Sequence, residues 1–219
     1  MDAYNPETVF SSIDYHGRYA YFNQPGITKW NLLRFAETLL PLIEDDKDKA
    51  IKIAEDTVNN FGTVYKMHWL EMMRKKLGLF GHEAEDETLI KDLLSWMNSS
   101  KADYTNTFCF LMEKDSLKDE VFQNIEFLNW CEQWKKRIKR NKKSIESSFD
   151  VMRVNNPLII PRNHKVEEAL NSASMNNNLA PVHNLLKVLK KPYQNRPEIT
   201  VYQSPPLASE YVYQTFCGT

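Results

Sequence analysis

Apolar residues recur every three to four positions through most of this chain, the spacing of amphipathic helices rather than of strands. In "KWNLLRFAETLLPLI" Trp30, Leu33, Leu40 and Ile43 form one such stripe. Pro41 predicts a kink or a new start there, because proline removes the amide hydrogen that a helix interior uses. The polar link "EDDKDK" can cap and solvate the next start. From it, "AIKIAEDTVNNFGTVYKMHWLEMMRKKLGL" predicts a helix of about eight turns if unbroken, with Gly78 as its left-handed stop. "DETLIKDLLSWMNSS" repeats the pattern, with Asp86 as the expected cap and Leu89, Leu93, Leu94 and Met97 at helical spacing. "DYTNTFCFLMEK" and "NIEFLNWCEQWKKRIKRNKK" predict two further helices. Alternating β-branched positions are nearly absent, so the fold class is mostly α. The final stretch from Lys190 changes character: four prolines and four tyrosines predict an extended tail packed on the helical body.

A late segment, "NPLIIPRNHKVEEAL", is more elaborate than a turn requires. Each proline biases its predecessor away from the α region, so Asn156 and Ile160 are expected to be extended. Asn163 is a competent N-cap, and Glu167 and Glu168 lie near the positive end of the helix dipole. Helix initiation leaves Arg162 and His164 without a role.

Composition narrows the function classes. With 219 residues, 42% apolar and 12% aromatic, the chain can bury a sizeable core. A formal charge of −1 excludes a globally basic nucleic-acid binder. Three cysteines without CxxC spacing fit a reducing compartment, hence an intracellular, cytoplasmic expectation. No apolar run reaches the roughly 18 residues of a membrane helix.

The search for self-contained chemistry is negative. GxxxxGK[ST], GxGxxG, HExxH and GxSxG are all missing from the sequence. The five histidines are scattered, with no pair at metal-ligand spacing. Glu83, Glu85, Asp86 and Glu87 read as a solvated helix start rather than an acid/base pair. The run from Lys135 to Lys143 could grip phosphates, but reads as a solvated helix face. Trp69, Trp130 and Trp134 read as core, as do Cys109 and Cys131.

"MDAYNPETVFSSIDYHGRYAYFNQPGITKWNLLRFAETLLPLI" resembles a segment of the selenoprotein O family (SelO, or YdiU), and the likeness continues through "DYTNTF", "NPLIIPRNHKVEEAL", "LLKVLKKPY" and "YVYQTFCGT". It spans nearly the whole chain, in the family's order. The resemblance implies the helical C-terminal part of a protein-kinase-like fold, in a pseudokinase family that transfers AMP, and in bacterial relatives UMP, from a nucleoside triphosphate to protein hydroxyls. It implies ATP and Mg²⁺ or Mn²⁺ as the whole enzyme's cofactors, held upstream of "DAYNP". No catalytic, cofactor-binding or metal residue is therefore expected in this chain, which should not transfer AMP alone. Its implied partner is the missing N-terminal nucleotide-binding half, together with unidentified protein substrates.

On that resemblance residues 1–30 form a lead-in like an activation segment, 31–190 a helical lobe and 191–219 the tail. Arg18, Asn23 and Gln24 in "GRYAYFNQP" are candidate contacts to the missing lobe or the substrate. Arg162, Asn163 and His164 either tie the proline segment to neighbouring helices or face the active-site lobe or the protein substrate. Cys217 sits where relatives carry selenocysteine or cysteine and is a candidate redox thiol. The cysteine that some relatives place before "GRY" has no counterpart in "TVFSSIDYH", so Cys217 is expected free or intermolecular. Truncation should expose an apolar surface, with self-association or partner capture through Tyr19, Tyr21, Phe22 and Trp30. A stand-alone helical protein-interaction module is the second reading, and a nucleic-acid binder using Lys135 to Lys143 the weakest.

Overall fold

The structure, a computed structural model, describes residues 1–112, 120–210 and 214–215. The described residues form helices and turns, with one isolated antiparallel bridge between Ala3 and Asp103. The chain divides into two compact units, Met1–Asn5 with Met72–Gln214, and Pro6–Glu71 with Thr215–Thr219.

The smaller unit is built on a helical hairpin, α1 (Gln24–Ile43) against α2 (Lys47–Asn59). Pro41 is accommodated inside α1, which continues to Ile43 instead of restarting. Asp46 caps α2 by accepting from the amides of Asp48 and Lys49. α2 presents Ala50, Ala54 and Val58 as a buried stripe of small side chains, and Lys29 reaches from α1 to Asn59 at 3.1 Å. The expected eight-turn helix is broken at Asn60, after which α3 (Phe61–Lys76) begins. No residue of α1 is buried, and Trp69 in α3 is half-buried rather than core.

The larger unit holds α4 (Asp86–Ser100), α5 (Tyr104–Met112), α6 (Ile125–Lys139), α7 (Ile145–Asn155), α8 (Asn163–Asn176), α9 (Ala180–Leu189) and the single turn α10 (Thr200–Gln203). α4 packs on α6, α5 and α6 on α7, and α8 on α9. Aromatic rings fill the interior: Trp96 stacks on Phe127 at 4.2 Å, Phe110 on Phe122 at 4.2 Å, and Trp130 lies between Phe127 and Trp134 at 6.0 and 6.1 Å. Burying indoles requires partners for their N–H groups. Trp130 donates to the Leu89 carbonyl at 2.8 Å and Trp134 to Leu77 at 2.9 Å, which binds the α6 stack to the backbone on either side of the turn before α4. Cys109 and Cys131 are buried.

Gly78 ends α3 as its position predicts. Its φ is +66°, the Gly78 amide donates to Lys75 and the Leu79 amide to Arg74, the paired bonds of a Schellman stop. A Cβ there would lie 2.7 Å from the Ser148 carbonyl oxygen, so both backbone conformation and packing demand glycine. The stretch after Lys190 is not extended throughout: Pro197 opens a 3-10 turn that buries Ile199, α10 follows, and Ala208–Glu210 forms another turn. Proline at the first helical position suits such starts, because its missing N–H would have had no partner there.

Candidate functional site

Arg162 is the polar centre of the larger unit. It is 2% exposed. One end of its guanidinium donates to Asp2 and, at 2.6 Å, to Asp103; the other donates to Asn106 at 3.3 Å and to the Gln203 carbonyl at 2.7 Å. Four stretches of sequence thus meet on one planar fork, a geometry that arginine supplies and lysine does not. Burial disfavours its charge, but Asp103 and Asp2 outweigh that and raise its pKa. Around it the first residues are fastened to α5: the Tyr4 amide donates to Ala102, the Tyr104 amide to Asp2, and the Tyr4 and Tyr104 rings stack at 5.9 Å.

The "PRNH" segment carries Arg162 into this cluster. Asn156 is extended, at φ −124° and ψ 107°, as expected before proline. Asn163 is not the cap: Arg162 occupies that position, in extended conformation, and no side chain caps α8. Pulling the guanidinium into the acidic cluster fixes the Arg162 backbone and starts the helix one residue early. Asn163 is left exposed at the first helical position. Glu167 and Glu168 consequently fall past the first turn, and Glu168 pairs with Lys165 at 2.9 Å. His164 is 8% exposed and its Nδ1 has no partner among the described residues. Burial, followed by the Lys165 cation, lowers its pKa, so it is held as a neutral imidazole.

Arg18, Asn23 and Gln24 lie in the smaller unit, apart in the chain's organisation from the Arg162 cluster. Asp14 accepts from the amides of Arg18 and Tyr19, both at 2.8 Å, and Gly17 turns at φ +62°. The Asn23 amide donates to the Gly17 carbonyl at 2.7 Å and that of Gln24 to the Tyr19 carbonyl. Both amides are therefore engaged in bracing their own loop. Arg18 instead lies over the Trp30 ring at 4.6 Å, an exposed cation on an exposed indole. Tyr19 and Phe22 are exposed, and Tyr21 is half-buried. Thr215 pairs with this lead-in through bonds to Ser12 and Phe10. Cys217 lies outside the described residues.

A second buried cluster was not legible as one. Asp86, expected as a solvated cap, is fully buried at 0% exposure and is the first residue of α4, not its cap. It accepts from Arg74 Nε at 2.7 Å, Arg137 Nε at 2.7 Å and the Glu83 amide at 3.1 Å. Burial opposes its ionisation, but the bonds from Arg137, the Glu83 amide and Arg74 outweigh it and hold the carboxyl below its usual value. Arg137 is correspondingly not part of a solvated face: it is 2% exposed and also donates to Asn141 and the Phe80 carbonyl. Arg140 pairs with Glu83 at 2.6 Å and Glu85 at 3.2 Å. The signal available was an acidic start to α4 and a basic end to α6, whose pairing periodicity does not reveal.

Nearby, Lys76 is 8% exposed, with its Nζ 4.2 Å from the Phe108 ring centre and 5.4 Å from that of Tyr104. Burial pushes its pKa down to about 8, only partly opposed by the Cys109 thiol.

Among the described residues no three His, Cys, Asp or Glu residues are grouped to share a metal ion. The carboxylates of Asp2, Asp86 and Asp103 are already matched by Arg162, Arg74 and Arg137. The arrangement is a helical scaffold with two arginine-centred braces. No described helix is long and apolar enough to cross a membrane.

By its sequence this scaffold belongs to the SelO family, described as protein adenylyltransferase SelO, whose profile matches residues 1–190. The chain is 48% identical over 219 residues to a protein nucleotidyltransferase YdiU of Nitrosococcus oceani, 52% over 220 residues to one of Alcanivorax borkumensis and 51% over 219 residues to one of Pelagibacter ubique. Each match covers 100% of this chain but 44–45% of the relative. The chain therefore spans under half the length of these relatives.

Proposed function

We propose that these 219 residues are the helical C-terminal part of a kinase-like protein nucleotidyltransferase, in which AMP or UMP is transferred to hydroxyl groups of protein side chains. The observation that carries the reading is the match itself: it takes in all of this chain and under half of each nucleotidyltransferase relative. ATP and Mg²⁺ or Mn²⁺ belong, on this reading, to residues upstream. Nucleotidyl transfer needs cations and a metal on the phosphates and a carboxylate for the incoming hydroxyl, and the inward carboxylates here are engaged with arginines. Arg162 then acts as a brace rather than a substrate contact. It holds Asp2, the point at which the chain would continue into the nucleotide-binding half, against α5 and α10. Arg18 and the 14–24 loop remain the candidates for contact with that half or with the protein substrate, and Cys217 remains the candidate redox thiol. The segments 1–30, 31–190 and 191–219 keep their proposed roles as lead-in, lobe and tail.

Calorimetric titration of ATP with Mg²⁺ into the purified chain tests this reading. No binding heat is expected; micromolar binding would give the helical part a nucleotide site of its own and end the proposed division of labour.

A second reading, a helical module that binds proteins without catalysis, is favoured by α1, where Trp30, Phe35 and Leu42 are 47%, 60% and 83% exposed. A cell line in which the chain is made without any upstream half, yet retains specific partners, would support it over the first.

A further inference from the structure

Between Glu168 and Glu198 the sequence contains no acidic residue, although the chain has 29 of them. That stretch includes α9, whose outer face carries His183, Leu186, Lys187 and Lys190. With Lys191 and Arg196 these residues line a groove of about 450 Å³. Three exposed arginines elsewhere are paired with acids: Arg34 with Glu37, Arg140 with Glu83, Arg153 with Glu146 and Asp150. Among the described residues, none of Lys187, Lys190, Lys191 and Arg196 is in an ion pair.

Cations at the end of a helix favour its dipole, which accounts for Lys187 and Lys190. Arg196 arrives from beyond the helix and serves the same end, donating to the Val188 carbonyl in the last turn at 3.3 Å, although its buried Nε has no partner among the described residues. The dipole does not account for Leu186, which is 50% exposed within the same groove. An apolar floor rimmed by unpaired cations suits an acidic polypeptide that carries an apolar side chain. Nucleic acid fits less well, because the chain as a whole is not basic.

We propose that the α9 groove docks an acidic, leucine-bearing segment of a partner protein, with Leu186 under the apolar side chain and Lys187, Lys190, Lys191 and Arg196 on the carboxylates. The proposal does not rest on the transferase reading. The test is fluorescence anisotropy on the 219-residue chain, without nucleotide, using a short labelled peptide of alternating glutamate and leucine. The comparison protein carries Lys187→Glu, Lys190→Glu and Lys191→Glu, three exposed positions whose change should lower thermal melting only slightly, through the helix dipole. A neutral Lys→Gln triple variant serves if the charge reversal does not fold. Binding to the native chain should weaken about tenfold or more in the variant, and fall with added salt. Equal binding by variant and native chain, no binding at all, or preference for a labelled single-stranded oligonucleotide would each overturn the proposal. Since no nucleotide is present, these outcomes are independent of whether AMP transfer occurs.

Discussion

The α4–α6 region and the α1–α2 hairpin are written in the same kind of sequence, apolar and aromatic residues at helical spacing, and reach opposite ends of burial. In the first, Trp96, Phe122, Phe127, Trp130 and Trp134 are all 5% exposed or less. In the second, no residue of α1 is buried and the buried residues of α2 are Ala50, Ala54 and Val58. A fully buried aromatic stabilises by roughly 1.5–3 kcal/mol and an alanine by far less. Helical periodicity therefore identifies an apolar face without saying what covers it. Stability should reside in the larger unit, and α1 of the smaller unit offers a face that another surface can cover.

The largest effect that can separate the two regions is loss of Asp86. Asp86→Ala strands Arg137 and Arg74 in the interior and should cost about 3–5 kcal/mol, read as a fall in denaturant midpoint. Arg162→Ala should cost a similar amount by leaving Asp2 and Asp103 unmatched, and Arg162→Lys should recover only part of it because lysine lacks the fork. Gly78→Ala comes next, at on the order of 3 kcal/mol, from a left-handed φ and a contact with Ser148 that cannot relax as a side chain would.

pH supplies a gentler probe. Lys76 has a folded pKa of about 8 against an ordinary 10.5, so between those values the unfolded chain binds more protons. Stability should therefore rise as pH increases from 8 to 10.5. Lys76→Met should remove that rise and stabilise the protein by about 1–3 kcal/mol at neutral pH. Asp86 has the same sign in a lower window: its contribution is present above the ordinary carboxylate range and is lost as acid protonates it. The smallest effect belongs to the hairpin. Phe35→Asp and Leu42→Asp should each alter the stability read from the denaturant midpoint of unfolding by no more than about 0.5 kcal/mol. A loss of several kcal/mol from either would show that α1 is a core helix after all.

Much of this fold was legible from local chemistry. Asp46 in the polar link caps α2, Gly78 ends α3, and the Trp130 and Trp134 positions are core, each readable from a few neighbouring residues. The misses are long-range. Asp86 finds Arg137 51 residues away, and Arg162 finds Asp103 59 residues away. Such pairs turn a cap-like aspartate and a surface-like basic run into interior braces, and nothing within one helix announces them. Asn163 failed as a cap for the same reason: a distant acidic pair claimed its neighbour. The family, by contrast, came from motifs whose meaning lies in descent rather than in periodicity, and the profile match over residues 1–190 agrees with it.

The most direct test of the proposed division of labour is transfer of labelled AMP from ATP to protein, with Mg²⁺ or Mn²⁺, measured for the purified 219-residue chain beside a full-length SelO-family enzyme. Labelling is expected from the full-length enzyme and none from the chain alone. Robust labelling by the chain alone would place the nucleotide chemistry within these helices and contradict the reading of them as a brace and docking lobe.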